Sequence, residues 1–387
     1  MKIGIDCSLV PGARAGLGQY AYYLVQALSR IDQENEYRLY PVFYYTFHPD
    51  YRQVDLPHTP NMRVAFRRLP ASWLRVLRHS RAPWFAREWV LGRMDVVHST
   101  SFSAPRFHSH RKRLVMTVYD LSFLTHPECH TPENVAHALQ GSRDAVAWAD
   151  ALIAISQHTR QDLIERMGAS PDRIIVTPLA PNPLCVRVAD PQHLAQVRAV
   201  YGLPPDFILF VGSLEPRKNI PRLLAAYARL ASALRREVHI VIAGGAGWLN
   251  EDIKTKVHEP GLADRVHFIG YVKEEDLPAV YSLATVFAYP SLYEGFGLPV
   301  LEAMQCGIPV LTSNVSALPE ITGDAALLVS PTDVEEIAHG LTRLLEHEEL
   351  RTALRARGYL RAQGFSWERC ARETLAVYRQ VHGKSEL

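Results

Sequence analysis

Short apolar runs alternate with amphipathic stretches along the whole chain, and this alternation limits the possible folds more than any other feature. A first series contains six strand-like runs, of which KIGID (2–6) is the first. A second series contains six more, of which FILFVGS (207–213) is the first. Between the runs, residues such as Tyr20, Tyr23 and Leu24 recur at helical spacing. Two successive strand–helix series predict an α/β protein with two doubly wound, Rossmann-like domains.

The domain boundary is expected in the proline-rich segment PLAPNPLCV (178–186), which separates the two series. A chain of 387 residues is longer than one hydrophobic core usually serves. The predicted domains are therefore residues 1–180 and 181–371. Ligands of doubly wound sheets bind beyond the carboxyl ends of the strands, so we expect the functional site in a cleft between two facing domains.

Composition argues against several classes of protein. The formal net charge of +2, with no basic tail at either end, argues against a nucleic-acid partner. The five cysteines are widely spaced without a C-x-x-C pair, which indicates a reducing compartment. The start MKIGIDCSLV has no apolar signal-peptide core, and no run of about 18 apolar residues occurs. We therefore expect a cytoplasmic protein without a membrane span.

The stretch EGFGLPVLEAM (294–304) carries the strongest functional signal. Glu294 follows a predicted strand, and Glu302 lies about one turn into the next helix. Gly295 and Gly297 let the backbone approach a ligand closely, and N–H groups at a helix start can bind phosphate oxygens. Carboxylates accept hydrogen bonds from hydroxyls, so a sugar or ribose is the expected partner. Glutamate near a helix N-terminus is also favourable without a ligand, but that does not account for the glycines.

Two further loops follow predicted strands. Gly12, Gly16 and Gly18 form either a tight turn or a phosphate site, since GARAGLG does not match G-x-G-x-x-G. Arg217 and Lys218 are either a solvated charged pair or two cations that hold an anion.

Together these stretches resemble the retaining glycosyltransferases of family 4, which have the GT-B fold. The resemblance covers nearly the whole chain, through GLGQY, TVYDLS, ISQHTRQDL, VGSLEPRKNI, GYVKEEDL, EGFGLPVLEAMQCGIPV and FSW. It implies an acceptor-side first domain, joined by the C-terminal helix 372–387, and a second domain that binds a nucleotide-diphosphate sugar.

The resemblance also implies roles for single residues. Glu294 would contact the hydroxyls of the donor sugar, and Glu302 those of the ribose. Arg217 and Lys218 would neutralise the diphosphate. Further donor contacts are expected from Phe296, Gly297 and Leu298 along the diphosphate and sugar, from Gly16 and Gly18 on the phosphate side, and from Val272 beside the nucleobase.

One catalytic position departs from the family pattern. Many relatives have His-Asp beside the reacting sugar, where this sequence has Tyr119-Asp120. A tyrosine can form a hydrogen bond to a sugar hydroxyl, but it cannot act as a cation near pH 7.

The sequence predicts transfer without a metal or other cofactor. No D-x-D occurs in the chain, so Arg217, Lys218 and helix N-termini are expected to stabilise the leaving diphosphate. In HPECH, His126, Cys129 and His130 lie close together, but their spacing matches no recognised metal site.

The combination GLGQY and TVYDLSF is similar to polysaccharide mannosyltransferases. It implies GDP-mannose as donor and a lipid-linked or polysaccharide glycan as acceptor. No nucleophile is evident, so we expect same-face attack, in which the departing phosphate oxygen takes the acceptor proton. Two other functions stay open on this fold, a nucleotide-sugar epimerase and a nucleotide-sugar-binding module without activity.

Residues 61–93 hold eight arginines and one acid, with Trp73, Trp84 and Trp89 between them. Such a stretch either binds an anionic membrane surface, which would place the protein on the inner face of the cell membrane, or packs its tryptophans inward.

Replacing Arg75, Arg78 and Arg81 with Gln distinguishes these alternatives. If the stretch binds a membrane, co-sedimentation with anionic vesicles should depend on salt and weaken in the triple variant, because the attraction is screened. Co-sedimentation that changes with neither salt nor lipid charge would favour the alternative, a helix that packs its tryptophans inward.

Overall fold

The computed structural model describes residues 1–10, 16–40, 56–64, 92–101, 112–245, 262 and 264–383. Most of the arginine- and tryptophan-rich stretch, residues 65–91, lies outside this part of the chain. The chain divides into two compact units. Unit 1 contains Met1–Leu121, Ala136–Leu179 and Ser366–Leu387, and unit 2 contains Ser122–Val135 and Ala180–Phe365. This grouping differs from the sequence-based boundaries at Ser122–Val135 and at residues 366–371.

Unit 1 is built on a parallel sheet with described strands in the order β3-β2-β1-β4-β5-β6-β7. The strands are β1 Lys2–Asp6, β2 Glu36–Tyr40, β3 Met62–Val64, β4 Val96–Ser99, β5 Arg113–Val118, β6 Ala151–Ala154 and β7 Ile174–Val176. Its helices are α1 Gly16–Ile31, α3 Pro132–Trp148, whose first residues group with unit 2, α4 Gln157–Met167 and the C-terminal α13 Trp367–Gly383.

Unit 2 has a second parallel sheet, with described strands in the order β10-β9-β8-β11-β12-β13. The strands are β8 Asp206–Val211, β9 Val238–Ala243, β10 Val266–Gly270, β11 Val286–Tyr289, β12 Val310–Ser313 and β13 Leu327–Val329. The helices are α2 Ser122–Thr125, α5 Pro191–Tyr201, α6 Ile220–Ala228, α7 Ser232–Glu237, α8 Leu277–Leu283, α9 Leu298–Gln305, α10 Leu318–Thr322, α11 Val334–Glu346 and α12 Glu348–Ala362.

The central strands are apolar because helices cover both faces of a parallel sheet. Ile3, Ile5, Ile208 and Leu209 are all fully buried. The sequence prediction of an α/β protein with two doubly wound sheets is confirmed. In the described residues, no helix combines the length and apolarity that a membrane span requires.

Local predictions had mixed outcomes. The sequence predicts Ser156, directly after the apolar run ALIAI, as a helix N-cap. The prediction is confirmed, because the Ser156 hydroxyl accepts the N–H of Thr159 at 3.0 Å at the start of α4. The sequence also predicts Asn219, directly before the helical stripe that starts at Ile220, as an N-cap. Asn219 occupies the N-cap position of α6, but its side chain does not cap the helix, so this prediction is wrong. Strand β3 was not anticipated, because three residues within an arginine-rich stretch give no clear alternation, and pairing with β2 defines it.

A buried polar network ties α13 to the sheet of unit 1. The imidazole of His98 on β4 lies 2.6 Å from the hydroxyl of Tyr378 and 2.8 Å from that of Thr117, which lies 3.0 Å from the hydroxyl of Tyr20. Burial lowers the pKa of His98 to about 3, so the ring is neutral. Below pH ~6.5 the histidine of the unfolded chain binds a proton, whereas the buried ring of the native protein stays neutral. The contribution of neutral His98 to the free energy of unfolding is therefore lost as the pH falls from ~6.5 towards 3.

Removing one hydroxyl should show how much this network stabilises unit 1. Tyr378→Phe leaves a buried imidazole nitrogen without its partner. We therefore expect the free energy of unfolding, measured by urea denaturation, to fall by about 1–3 kcal/mol. Tyr359→Phe is the matched control, because Tyr359 is exposed on α12. Equal, small effects in both variants would contradict a stabilising role for the network.

Candidate active site

The chain order of unit 2 reverses between two adjacent strands. From β8 the sheet continues through β9 and β10 on one side, and from β11 through β12 and β13 on the other. Ligands of open α/β sheets bind beyond the carboxyl ends of strands at such a switch point. Arg217 and Lys218 follow β8, and Glu294 follows β11. The topology thus brings together side chains that lie more than 70 positions apart in the sequence.

The carboxylate of Glu294 is the centre of this site. Its Oε1 accepts hydrogen bonds from Lys218 Nζ at 2.7 Å, from the hydroxyl of Ser291 at 2.7 Å and from that of Tyr289 at 3.0 Å. Its Oε2 lies 3.0 Å from a terminal nitrogen of Arg217. Glu294 is buried, so these contacts replace its hydration.

Charge pairing decides the ionisation of this cluster. Burial would raise the pKa of Glu294, but Arg217 and Lys218 hold it at about 2, so the carboxylate is ionised. Burial and the neighbouring Arg217 lower the pKa of Lys218, whereas Glu294 and Glu215 raise it. Burial raises the pKa of Glu215, although Lys218 and Arg217 act to lower it. The 2.7 Å contact between Lys218 and Glu294 favours the charged ammonium.

Hydrogen bonds also join the loop after β8 to the loop after β11. The carbonyl of Arg217 accepts the N–H of Leu292 at 2.9 Å and the hydroxyl of Ser291 at 3.0 Å. The guanidinium of Arg217 donates to the carbonyl of Tyr293 at 2.6 Å. Backbone bonds therefore fix the cations relative to the carboxylate, in addition to the ion pairs.

Gly297 shapes the start of α9. Its φ of +113° disfavours residues with a side chain, and a Cβ there would lie 2.8 Å from Leu318 Cδ2. The N–H groups of Val300 and Leu301 donate to the Gly297 carbonyl, so the N–H groups before them have no helical acceptor and are suited to an anion. Phe296 packs its ring edge-on against Phe365 with centroids 5.8 Å apart, so its backbone rather than its ring is suited to a ligand.

Glu302 has an environment opposite to that of Glu294. It is buried on α9, where its Oε2 accepts the hydroxyl of Tyr281 at 3.1 Å and its carboxylate accepts the backbone N–H of Asn182. Burial raises its pKa to about 7, and nearby Glu274 adds to the effect. A buried carboxylate bonded to neutral donors keeps acceptor capacity for a hydroxyl.

The other predicted donor contact in unit 2 is Val272. It is buried just after β10, next to the exposed Tyr271. Its backbone therefore follows the carboxyl end of a strand, as do Lys218 and Glu294.

Four predicted residues belong to unit 1. Gly16 begins α1 with φ +21°, and a Cβ on Gly18 would lie 2.4 Å from the carbonyl oxygen of Leu9, so close packing requires glycine there. Tyr119 is buried after β5 and its hydroxyl donates to the carbonyl of Thr100 at 2.6 Å. Burial raises the pKa of Tyr119 well above its ordinary value, so the phenol is neutral. Asp120 follows it and is half-buried.

Several site residues were not identified from the sequence. Tyr289 and Ser291 stand in AYPSLYE directly before Glu294, and Glu215 stands in SLEPRKN directly before the two cations. Proximity in sequence was the available signal for these three. Asn182 and Tyr281 gave no signal, because only the fold brings them to Glu302.

The histidines of HPECH have protein partners. His126 lies 3.1 Å from Glu128, and His130 lies 3.0 Å from the hydroxyl of Ser122. The ring of His126 also meets that of Tyr293 edge-on, at 6.1 Å between centroids. Among the described side chains, no group of three or more His, Cys, Asp or Glu residues is arranged to hold a metal ion.

The sequence matches two family models, one over each half of the chain. Residues 14–181 match Glycosyltransferase Family 4, and residues 197–361 match Glycosyl transferases group 1. The two-sheet fold and these matches define a GT-B glycosyltransferase, and the chain belongs to family 4.

Particular relatives refine this comparison. An O-antigen chain mannosyltransferase B of Escherichia coli is 32% identical over 98% of this chain and its own full length. A serotype-specific mannosyltransferase WbdA of Escherichia coli is 33% identical over 58% of this chain and 28% of its own. The structure of sucrose-phosphate synthase from Thermosynechococcus elongatus superposes with a TM-score of 0.76, 24% identity and 99% coverage of both chains, and shows the shared fold.

The raised pKa of Glu302 predicts a pH-dependent effect on stability. Between its ordinary value of 4.5 and about 7 the native carboxyl holds a proton that the unfolded chain releases, so wild-type stability falls as the pH rises through this window. Glu302→Gln does not titrate. The free energy of unfolding of Glu302→Gln minus that of the wild type should therefore increase by about 3 kcal/mol between pH 4.5 and pH 7. Above pH 7 the difference should stay constant.

Urea denaturation at pH 5 and pH 8 measures this difference, with exposed Glu349→Gln as the control for a general charge effect. A difference between Glu302→Gln and wild type that is the same at both pH values would contradict the raised pKa.

Proposed function

We propose that this enzyme transfers mannose from GDP-mannose, with retention of configuration, to a hydroxyl of a polysaccharide or lipid-linked glycan. The observation that carries the proposal is the cluster of Glu294, Lys218 and Arg217 at the switch point of unit 2. It combines an ionised carboxylate that can accept from sugar hydroxyls with two cations that can hold a diphosphate.

The cations and α9 supply what a departing diphosphate needs. Negative charge grows on the leaving phosphate oxygens as the bond to the sugar breaks, and preorganised positive groups stabilise it. Arg217 and Lys218 are held by ion pairs and backbone bonds, and the N–H groups at Phe296, Gly297 and Leu298 add partial positive charge. We propose that this charge suffices without a metal or other cofactor.

Glu302 and Val272 complete the donor subsite in this proposal. The carboxylate of Glu302 would accept hydrogen bonds from the ribose hydroxyls, since its present partners are the neutral hydroxyl of Tyr281 and the N–H of Asn182. The backbone at Val272 would meet the nucleobase. Gly16 and Gly18 are proposed to supply further backbone contacts to the phosphates.

The choice of mannose and of acceptor rests on the relatives. The full-length relative is named an O-antigen chain mannosyltransferase, and the partial one is also a mannosyltransferase. A growing polysaccharide carried on a lipid fits this comparison. The arginine- and tryptophan-rich stretch 61–93 remains the proposed contact with an anionic membrane surface.

Retention is proposed to follow from same-face attack. The bond from the sugar anomeric carbon to the diphosphate breaks, the acceptor oxygen bonds to that carbon on the same face, and the acceptor proton passes to the departing phosphate oxygen. Tyr119 and Asp120 would lie beside the reacting sugar. A neutral phenol at position 119 supplies hydrogen bonding but no charge.

The direct test is transfer in EDTA from GDP-mannose, UDP-glucose and UDP-galactose to a lipid-linked glycan extract. We expect mannose transfer from GDP-mannose, with an α-mannoside identified by NMR and a loss of activity in Arg217→Ala and Lys218→Ala. Transfer from a uridine donor alone would overturn the donor assignment, and a β-linked product would overturn retention. Activity that returns only with added divalent metal would overturn metal independence.

Free GDP separates the roles of the two glutamates, because it contains ribose but no sugar to transfer. Glu294→Gln should lower turnover and leave GDP affinity nearly unchanged, since the sugar contact strengthens in the transition state. Glu302→Gln should lower GDP affinity by about 10-fold, as expected for the loss of a charged hydrogen-bond acceptor. Isothermal titration and steady-state kinetics of both variants measure this, and the reverse pattern would exchange the two roles.

A further inference from the structure

Two residues with side chains adopt a left-handed backbone conformation in the described part of the chain. Asn219 has φ 61° and Ser316 has φ 57°. This conformation is disfavoured for residues with a Cβ, although Asn tolerates it better than most, and it persists where the surroundings enforce it. Both residues contact the Glu294 loop, residues 290–294, which follows β11 and carries the carboxylate of the ion cluster described above.

Ser316 and its neighbour hold both backbone polar groups of Glu294. The hydroxyl of Ser316 accepts the N–H of Glu294 at 3.0 Å and donates to the carbonyl of Val315 at 2.7 Å. The N–H of Ala317 donates to the carbonyl of Glu294 at 3.2 Å. Two consecutive residues of the loop after β12 thus fix the peptide groups on either side of the Glu294 Cα.

Asn219 holds the opposite end of the Glu294 loop. Its side-chain nitrogen donates to the carbonyl of Pro290 at 2.8 Å and to that of Pro331 at 2.7 Å, and the residue is buried. Asn219 directly follows Lys218, so the same residue fixes the start of the Glu294 loop and the backbone that carries the cation. Its side-chain oxygen, which would cap α6, instead accepts from the guanidinium of Arg222 at 2.9 Å.

We propose that Ser316 and Asn219 are positioning residues that fix the two ends of the Glu294 loop and thereby aim the carboxylate of Glu294. The left-handed conformation is retained because it allows these contacts. The proposal rests on the proposed function, in which Glu294 contacts the transferred sugar. Neither side chain needs to touch the donor, because each acts through the backbone next to a residue that does.

The experiment compares two substitutions at position 316 that separate the hydroxyl from the backbone conformation. Ser316→Ala and Ser316→Gly both remove the acceptor for the Glu294 N–H, but only glycine relieves the positive φ. With GDP-mannose we expect kcat to fall about five- to tenfold in both variants, as for one lost hydrogen bond, while the Kd of free GDP stays within about twofold. Ser316→Gly should melt at or above the temperature of Ser316→Ala.

Asn219→Gly should give the same pattern, since glycine keeps the backbone conformation and loses the amide. The matched control is Ser29→Ala in unit 1, a serine whose hydroxyl donates to the carbonyl of Gln26 at 2.7 Å, and we expect its kcat to stay at the wild-type value.

Glu294→Gln in the same assays separates this proposal from the proposed function. If Glu294→Gln loses turnover while both Ser316 variants keep wild-type kcat, positioning by Ser316 is overturned and the role of Glu294 stands. If Glu294→Gln keeps wild-type turnover, the role of Glu294 fails, and the positioning proposal fails with it. If kcat and the melting temperature are both lower in Ser316→Ala than in Ser316→Gly, the loss of turnover reflects lost stability, and Ser316 has a structural role only.

Discussion

The ion pairs between Glu294 and the cations Arg217 and Lys218 are the interaction on which the rest of the site depends. A buried carboxylate is costly unless its charge is paired and its oxygens are hydrogen-bonded, and here both conditions are met. The pairing is possible because β8 and β11 are neighbours in the sheet, so the loops that follow them meet. Parallel pairing thus creates the site, and backbone bonds between the loops preserve it.

The two glutamates of one short stretch show how environment assigns different chemistry to the same side chain. Beside two cations, the pKa of Glu294 is held at about 2, whereas burial next to neutral donors raises that of Glu302 to about 7. Eight positions in the sequence separate a carboxylate that is fully ionised at neutral pH from one that is close to its midpoint. In the proposed function the first contacts the reacting sugar, and the second contacts the ribose, which does not react.

Much of the fold could be predicted from periodicity. The apolar runs that predicted strands in both series overlap the strands that form, because buried parallel strands are apolar along their length. Prediction failed where long-range contacts decide. β3 exists through its pairing with β2. Asn219 does not cap α6, since its amide nitrogen donates to the carbonyls of Pro290 and Pro331 while its oxygen accepts from Arg222. Similarly, Ser122–Val135 groups with unit 2, although β5 and β6, which flank it in sequence, belong to unit 1.

The sequence by itself determined the α/β class, the loops after the strands that carry Glu294, Arg217 and Lys218, and the helix start that carries Glu302, because these follow from local patterns of apolar, glycine and charged residues. Only the tertiary structure decided that Glu294 pairs with both cations, that Asn182 and Tyr281 meet Glu302, and that Ser316 holds the Glu294 backbone. The physical reason is that ionisation and hydrogen bonding depend on distance and burial. In a parallel sheet these are set by the order of strands in space, which the order in sequence does not specify.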